Sequence, residues 1–153
     1  MIRLHVVAVG KLKEKYWTDA VNEYLKRLSR YARADVTECP EGACDSSPAA
    51  NKKREAEGIL AKCKGYVVLT DLRGEQLTSE EFAQMLDKES ARGVSEFTFV
   101  IGGSHGVDES VYARADRIVS FGKMTYPHQL MRVILLEQLY RAETIINGTS
   151  YHK

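Results

Sequence analysis

The chain has 153 residues, and its 22 Lys and Arg nearly balance its 21 Asp and Glu, which gives a formal net charge of +1. A chain of this length can bury roughly two-thirds of its unfolded surface in one core, so we predict a single domain over residues 1–153. The net charge alone identifies no partner. Segment 11–33, with seven basic residues against three acidic, suits either a polyanion or a solvated helix face.

The cysteines and the apolar runs exclude several classes of protein. Cys39, Cys44 and Cys63 are an odd number without a CxxC pair, which argues against a disulfide framework and against a zinc site. The amino-terminal apolar run predicts a strand rather than a signal peptide, and no apolar run is long enough to span a membrane. We therefore expect a cytoplasmic protein with no metal and no membrane partner.

The hydrophobic pattern alternates between strands and helices along the chain. Runs of β-branched and aromatic residues predict strands at 2–9, 34–39, 66–70, 97–101 and 117–121, and helical spacing predicts helices near 17–32, 51–62, 78–92, 108–115 and 128–142. Thr78 and Glu81 form the pattern of a capping box. Segment 40–49 reads as a loop. Strands separated by helices indicate an α/β fold with a mainly parallel sheet flanked by helices.

The predicted last helix is unusual because nearly every side of it is apolar. Its sequence from His128 is HQLMRVILLEQLYRA, and Pro127 suits the position just before it. A helix that is apolar all round must be buried. In so small a protein the simplest cover for its second side is another copy of the chain, so we predict a homodimer built on this helix.

Three predicted strands end in segments that suit a ligand site: 70–72, 101–103 and 121–126. The carboxyl ends of neighbouring parallel strands form one crevice, where open α/β folds bind their ligands. Its residues are apolar and rich in backbone donors and acceptors, which suits a flat heterocycle such as adenine. No pair of carboxylates lies there for hydrolytic acid–base chemistry.

A second interpretation of the same region is a serine hydrolase. The segment GGSHG matches the G-x-S-x-G pattern with Ser104 at its centre, after a strand and before a helix. Asp116 and either His128 or His152 follow in the order that a triad requires. Against this interpretation, the chain is short for such an enzyme and no separate oxyanion loop is visible. The segment also lacks the consecutive Lys-Ser/Thr pair of a phosphate-binding P-loop.

The whole chain resembles the RlmH family, a minimal branch of the SPOUT class of RNA methyltransferases. The resemblance rests on HVVAVGKLK at the start, on FVIGGSHG, on SFGKMTYPHQLMRVILLEQLYRA and on the terminal YHK. It implies a SPOUT domain with a C-terminal trefoil knot that works as a homodimer. It also implies binding of S-adenosylmethionine and methylation of N3 of a pseudouridine in the large-subunit rRNA of assembled ribosomes. A non-catalytic ribosome-binding protein is the other alternative to an enzyme.

The resemblance also implies site residues, transferred by position. The implied cofactor contacts are Thr70, Leu72, Gly102, Gly103, Phe121, Gly122, Lys123, Met124, Thr125 and Tyr126. The candidates for contact with the substrate and for catalysis are Arg132, Arg141, Tyr151, His152 and Lys153. Among these, an imidazole suits removal of the N3 proton, an aromatic ring suits stacking on a base, and a cation suits the developing anion. A structural role in the core or a dimer contact is equally compatible with Arg132 and Arg141, because both lie on the predicted buried helix.

Overall fold

The computed structural model describes residues 1–42 and 47–153. Strands and helices follow one another in the predicted order, and the fold class is confirmed. The elements are β1 (Arg3–Val9), α1 (Lys15–Leu28), β2 (Arg33–Cys39), α2 (Pro48–Lys62), β3 (Tyr66–Gln76), α3 (Ser79–Ala91), β4 (Glu96–Ile101), α4 (Glu109–Arg114), β5 (Arg117–Ser120) and α5 (His128–Ile146).

Helix caps account for two of the boundaries. Thr78 and Glu81 form the predicted capping box at the start of α3. Helix α2 begins at Pro48 rather than at 51, because the Ser47 side chain accepts a hydrogen bond from the Ala50 N–H and proline suits a first helical turn. Residues 48 and 49 of the predicted loop 40–49 therefore belong to α2, and residues 43–46 of that prediction lie outside the described part of the chain.

The five strands form one parallel sheet in the order β2-β1-β4-β3-β5. The chain crosses from strand to strand through helices, as parallel neighbours require. The sheet thus places β3 between β4 and β5, so that the carboxyl ends of these three strands are adjacent.

Each face of the sheet has its own hydrophobic core. Side chains alternate along a strand, so that Val6 of β1 points to one face while Val7 and Val9 point to the other. The larger core contains residues from α1, α3 and α5, and the smaller one contains residues from α2 and α4. Helices therefore cover both faces, which is the expected architecture for an all-parallel sheet.

Strand β3 is longer than the predicted 66–70 because it contains an irregular segment. Val119 of β5 pairs first with Thr70 and again with Glu75, so segment 71–74 bulges out of the ladder between the two strands. A Cβ at Gly74 would lie 2.6 Å from the backbone nitrogen of Val119. Glycine lets the chain return to β5 at this point, and the bulge remains at the carboxyl end of the sheet.

Helix α5 packs on the sheet with α1 and α3 and extends to Ile146, beyond the predicted end at 142. One side is buried in this single chain, and residues on the other side, such as Leu130 and Ile134, are only half-buried. The prediction of an apolar helix held against the sheet is correct for one side of α5. No helix in residues 1–42 and 47–153 is long and apolar enough to cross a membrane.

Glu143 is a buried carboxyl group within the larger core region. It is 4% exposed, and its Oε1 has no hydrogen-bond partner within the described residues. Burial, reinforced by the nearby Asp87 carboxylate on α3, raises the pKa of Glu143 to about 7. The folded state therefore holds this group protonated at pH values where the unfolded chain ionises it.

We expect Glu143→Gln to stabilise the protein in a pH-dependent way. The unfolded carboxyl ionises near pH 4.5 and the folded one near pH 7. The stability of the wild type therefore falls as the pH rises through this window, and the contribution of Glu143 stays constant above it. Measured by urea unfolding, the advantage of the variant over the wild type should grow by roughly 1–3 kcal/mol between pH 5 and pH 8. The control Asp87→Asn should show a smaller gain of the same sign. A pH-independent difference would contradict the assignment.

Candidate functional site

A cavity of about 660 Å³ lies at the carboxyl ends of β3, β4 and β5. Its size is typical of a site for a small molecule or cofactor. It lies where the strand order brings three exits together, as the sequence predicted. The lining residues are Thr70, Asp71, Leu72, Ile101, Gly102, Gly103, Ser104, Gly106, Val107, Phe121, Gly122, Met124, Thr125, Tyr126, Pro127, His128 and Met131.

The cofactor contacts implied by the resemblance all line this cavity, apart from Lys123, which is exposed. The Thr70 hydroxyl donates a hydrogen bond of 2.8 Å to the Val100 carbonyl, so this side chain is already engaged by the neighbouring strand.

Three large apolar side chains at the cavity are unusually exposed. Leu72 is 57% exposed, Met124 is 76% exposed and Tyr126 is 38% exposed. Leu72 comes from the β3 bulge, and the other two come from the segment between β5 and α5. Adjacent exposed apolar groups of this kind mark a binding site more often than a random surface. They suit the face of a flat, mainly apolar ligand.

The turn after β4 brings backbone directly to the cavity wall. A Cβ at Gly102 would lie 2.5 Å from the Val107 side chain, and a Cβ at Gly103 would lie 2.8 Å from Oε1 of Glu55. Both distances are shorter than real Cβ contacts, so a larger residue at Gly102 would have to displace Val107, and one at Gly103 would have to displace the flexible end of Glu55. The two glycines therefore allow a close backbone approach to a ligand.

His128 lines the cavity. The sequence predicts it only as the first residue of the last helix or as a member of the alternative hydrolase triad. Its Nδ1 is buried and has no hydrogen-bond partner within the described residues. Burial, together with the nearby Arg132 guanidinium, lowers the pKa of His128 below the usual histidine value, although Glu41 and Glu55 act in the opposite direction. The imidazole is thus held in its neutral form beside the cavity.

Arg132 does not fit the catalytic role that the sequence left open for it. Its side chain is completely buried, and its guanidinium donates hydrogen bonds to Glu38 at 2.6 Å and to the Gly10 carbonyl at 2.8 Å. Burial alone would raise the pKa of Glu38, but the hydrogen bonds from Arg132 and from the Leu12 N–H hold it below its usual range. Arg132 joins α5 to the ends of β1 and β2 and has no access to an RNA substrate.

The C-terminal tail folds back onto α5 and does not line the cavity of its own chain. The Tyr151 hydroxyl donates to Glu137 at 2.8 Å, and Arg141 lies 4.7 Å above the Tyr151 ring. His152 contacts Arg141 through Nδ1 at 3.1 Å and Glu80 of α3 through Nε2 at 2.6 Å.

This network determines which nitrogen of His152 carries the proton. A guanidinium has only donors, so Nδ1 of His152 must accept from Arg141 and Nε2–H must donate to Glu80. The hydrogen bond from His152 also lowers the pKa of Glu80. The remaining tail candidate, Lys153, is exposed.

The residues of the alternative hydrolase site are not brought together. Ser104 and His128 line the cavity at the carboxyl ends of the strands. Asp116 instead accepts a hydrogen bond from the Val67 N–H, near the amino end of β3. His152 is engaged by Glu80 of α3 and Arg141 of α5. The structure therefore does not assemble the proposed triad.

Charged and metal-binding groups are scarce in the cavity. Within residues 1–42 and 47–153, no group of three or more His, Cys, Asp or Glu side chains is arranged to hold a metal ion. Asp71 is the one acidic residue, and no Lys or Arg is present, among the described lining residues. Sequence reasoning treated Asp71 only as part of a strand exit, because the bulge that carries it into the cavity wall has no pattern in a single sequence.

The fold and the cavity define an α/β protein with a ligand site at its strand exits, and family comparison gives its class. The family described as "Predicted SPOUT methyltransferase" matches residues 2–152. The chain belongs to the SPOUT methyltransferase family.

Individual relatives are similar over their full length. The chain is 49% identical to "Ribosomal RNA large subunit methyltransferase H" of Carboxydothermus hydrogenoformans, covering 99% of this chain and 100% of the relative. Proteins with the same name from Clostridium beijerinckii and Lactobacillus helveticus are 46% and 48% identical, with the same coverage.

A solved structure supports the fold alone. The probable methylase family protein from Haemophilus influenzae Rd KW20 aligns with a TM-score of 0.52 at 11% sequence identity, covering 99% of this chain and 70% of that chain.

Proposed function

We propose that this protein is an S-adenosylmethionine-dependent methyltransferase that modifies N3 of a pseudouridine in large-subunit rRNA of the ribosome. The observation that carries the proposal is the cavity at the three strand exits of a SPOUT methyltransferase. The rRNA target is supported by the names of relatives that are 46–49% identical over their full length. We further propose that the chain is one domain and acts in the cytoplasm, where ribosomes are found.

The cavity has the chemistry that a sulfonium nucleoside needs. A phosphate-bearing nucleotide would require cationic side chains or a P-loop with its Lys-Ser/Thr pair, and the described lining residues supply neither. The exposed Leu72, Met124 and Tyr126 suit an adenine face. The backbone of the turn at Gly102 and Gly103 and that of the segment around Gly122 suit its polar edge. When bound, the cofactor would supply an electrophilic methyl group.

Positioning is the main contribution that this chain would make to methyl transfer. Attack on a sulfonium methyl is a bimolecular displacement, so holding the two reactants together supplies much of the rate. The N3 proton of the base lies between two carbonyls and must also leave. His152 would accept that proton, or Arg141 and Lys153 would stabilise the resulting anion.

The observed tail network bears on this choice. Nδ1 of His152 accepts from Arg141, and Nε2 of His152 donates to Glu80. The imidazole therefore has no free lone pair until Arg141 is released. A role as base requires the network to open when the substrate binds, whereas a role for the cations does not.

In a single chain the tail does not line the cavity. A homodimer would bring the tail of one copy to the cavity of the other. The tail is held on α5 and α3, while the outer side of α5 presents half-buried apolar residues such as Leu130 and Ile134. We propose that two copies pack through this side, and that the tail of one copy completes the site of the other. The trefoil knot implied by the resemblance also stays a prediction.

Cofactor binding and methyl transfer test the proposed function in two steps. We expect calorimetry to detect S-adenosylmethionine binding at one site per chain. We also expect ribosomes from cells that lack this enzyme to gain a methyl group at N3 of a pseudouridine. Absence of cofactor binding would contradict the enzyme class and favour a ribosome-binding protein. Binding without methylation of ribosomes would contradict only the target.

The dimer is tested by placing a charge on the outer side of α5. Ile134→Glu should shift the protein to a monomer in sedimentation experiments at micromolar concentration, because an unpaired charge is costly to bury at an interface. Gln84→Glu is the matched control, since it adds the same charge on the exposed side of α3. A wild type that sediments as a monomer, or an Ile134→Glu variant that remains a dimer, would contradict the proposed interface.

The tail is tested by deleting residues 151–153. Because the tail does not line the cavity of its own chain, cofactor affinity should stay within a few-fold of the wild type, while methyl transfer should fall by about 10²-fold or more. Glu80→Gln is the control, because it removes the negative charge beside His152 but keeps the tail and an acceptor oxygen for Nε2–H. Normal methylation after the deletion would show that the tail is only structural.

The same variants separate the two chemical roles. If His152 is the base, His152→Ala should remove its ionisation from the pH dependence of the rate. If the rate falls while that profile keeps its shape, the cations are the essential groups. Loss of cofactor binding on deletion would instead show that the tail closes over the cavity.

A further inference from the structure

Asp71 is a carboxylate in the cavity wall that the proposed chemistry does not use. It is the first residue of the bulge between β3 and β5, and its neighbour Thr70 pairs with Ile101 of β4. It therefore lies between the glycine turn after β4 and the segment after β5. Its side chain is 16% exposed. It is also the one acidic side chain among the described residues that line the cavity.

Two neutral donors hold this carboxylate in place. The Tyr112 hydroxyl of α4 donates to Oδ2 at 2.6 Å, and the Arg73 backbone N–H donates to Oδ1 at 2.9 Å. The Arg73 guanidinium lies 3.8 Å from the centroid of the Tyr112 ring and its Nε lies 3.8 Å from Oδ1 of Asp71. Asp71, Arg73 and Tyr112 thus form a brace that fixes both the bulge and the direction of the carboxylate.

The brace leaves Asp71 with acceptor capacity but with a partly offset charge. A carboxylate offers about four acceptor positions, and the hydrogen bonds from the Tyr112 hydroxyl and the Arg73 N–H occupy one on each oxygen. The guanidinium beside Oδ1 weakens the attraction of the group for a free cation. The remaining capacity therefore suits uncharged O–H donors, and two oxygens with one free position each suit two adjacent hydroxyl groups.

We propose that Asp71 accepts hydrogen bonds from the vicinal hydroxyls of the cofactor ribose and so makes the cavity selective for ribonucleosides over deoxynucleosides. This inference rests on the proposed function, in which the ligand is a nucleoside. The exposed apolar side chains of Leu72, Met124 and Tyr126 provide the surface for the base. Asp71 is the polar side chain immediately beside that surface, on the residue next to Leu72.

The experiment compares S-adenosylhomocysteine with its 2′-deoxy and 3′-deoxy analogues by calorimetry, without any measurement of activity. We expect the wild type to bind the ribonucleoside about tenfold to hundredfold more tightly than either analogue, the scale for losing a hydrogen bond to a charged group. Asp71→Ala should bring this ratio close to one, and Asp71→Asn, which keeps one acceptor oxygen, should lower it. Equal binding of the three ligands by the wild type would overturn the inference without reference to any variant.

Two control variants distinguish ligand contact from support of the fold. Tyr112→Phe removes one hydrogen bond of the brace but keeps the carboxylate, so it should weaken all three ligands while retaining most of the ratio. Glu109→Gln removes only the negative charge of the exposed outer partner of Arg73, 3.5 Å away, and should change neither affinity nor ratio. If Asp71→Asn weakens all ligands equally, Asp71 is a structural residue and the inference is wrong. If no ligand binds the wild type, the proposed function itself fails and the inference fails with it.

Discussion

The buried Arg132 guanidinium holds the start of α5, which borders the cavity, against the ends of β1 and β2. A completely buried cation is tolerated only when it is well paired, and this one reaches across from α5 to the Gly10 carbonyl after β1 and to Glu38 in β2. It lies one turn after His128, so the clamp fixes the start of α5. The segment from Phe121 to Pro127 is consequently held at both ends, by β5 and by α5. A site wall built from a loop gains its precision from such support.

The parallel sheet explains why so few side-chain functions are needed at the site. Because β3 lies between β4 and β5, the carboxyl ends of these three strands are adjacent. The ligand surface then consists mainly of backbone groups, two closely packed glycines and exposed apolar side chains. Such a surface recognises shape and hydrogen-bonding edges, and it leaves reactivity to the ligand. That division of labour suits a cofactor that carries its own electrophile.

Much of this could be predicted from the sequence, because the signals are local. The apolar runs, the capping box at Thr78 and the glycine turn after β4 identify the elements and their exits, and the alternation of strands and helices predicts the parallel sheet. The resemblance to a known family then gives the residues of the crevice.

What could not be predicted depends on contacts between distant parts of the chain. The β3 bulge requires Gly74 to pass against the β5 backbone, and Asp71 enters the cavity wall only as a result. The burial of Arg132 depends on Glu38, which is far away in sequence. The position of the tail depends on Glu80 and Glu137, and no periodicity in the sequence links these residues to His152.

The central claim is that the cavity at the three strand exits is the cofactor site. The most direct measurement is a titration of the isotopically labelled protein with S-adenosylhomocysteine, followed through its assigned backbone amide resonances. The account predicts the largest changes at 70–72, 102–106 and 121–126, with small changes along α1. Changes concentrated on α1 or on the solvent side of α2, with the strand exits unaffected, would contradict it.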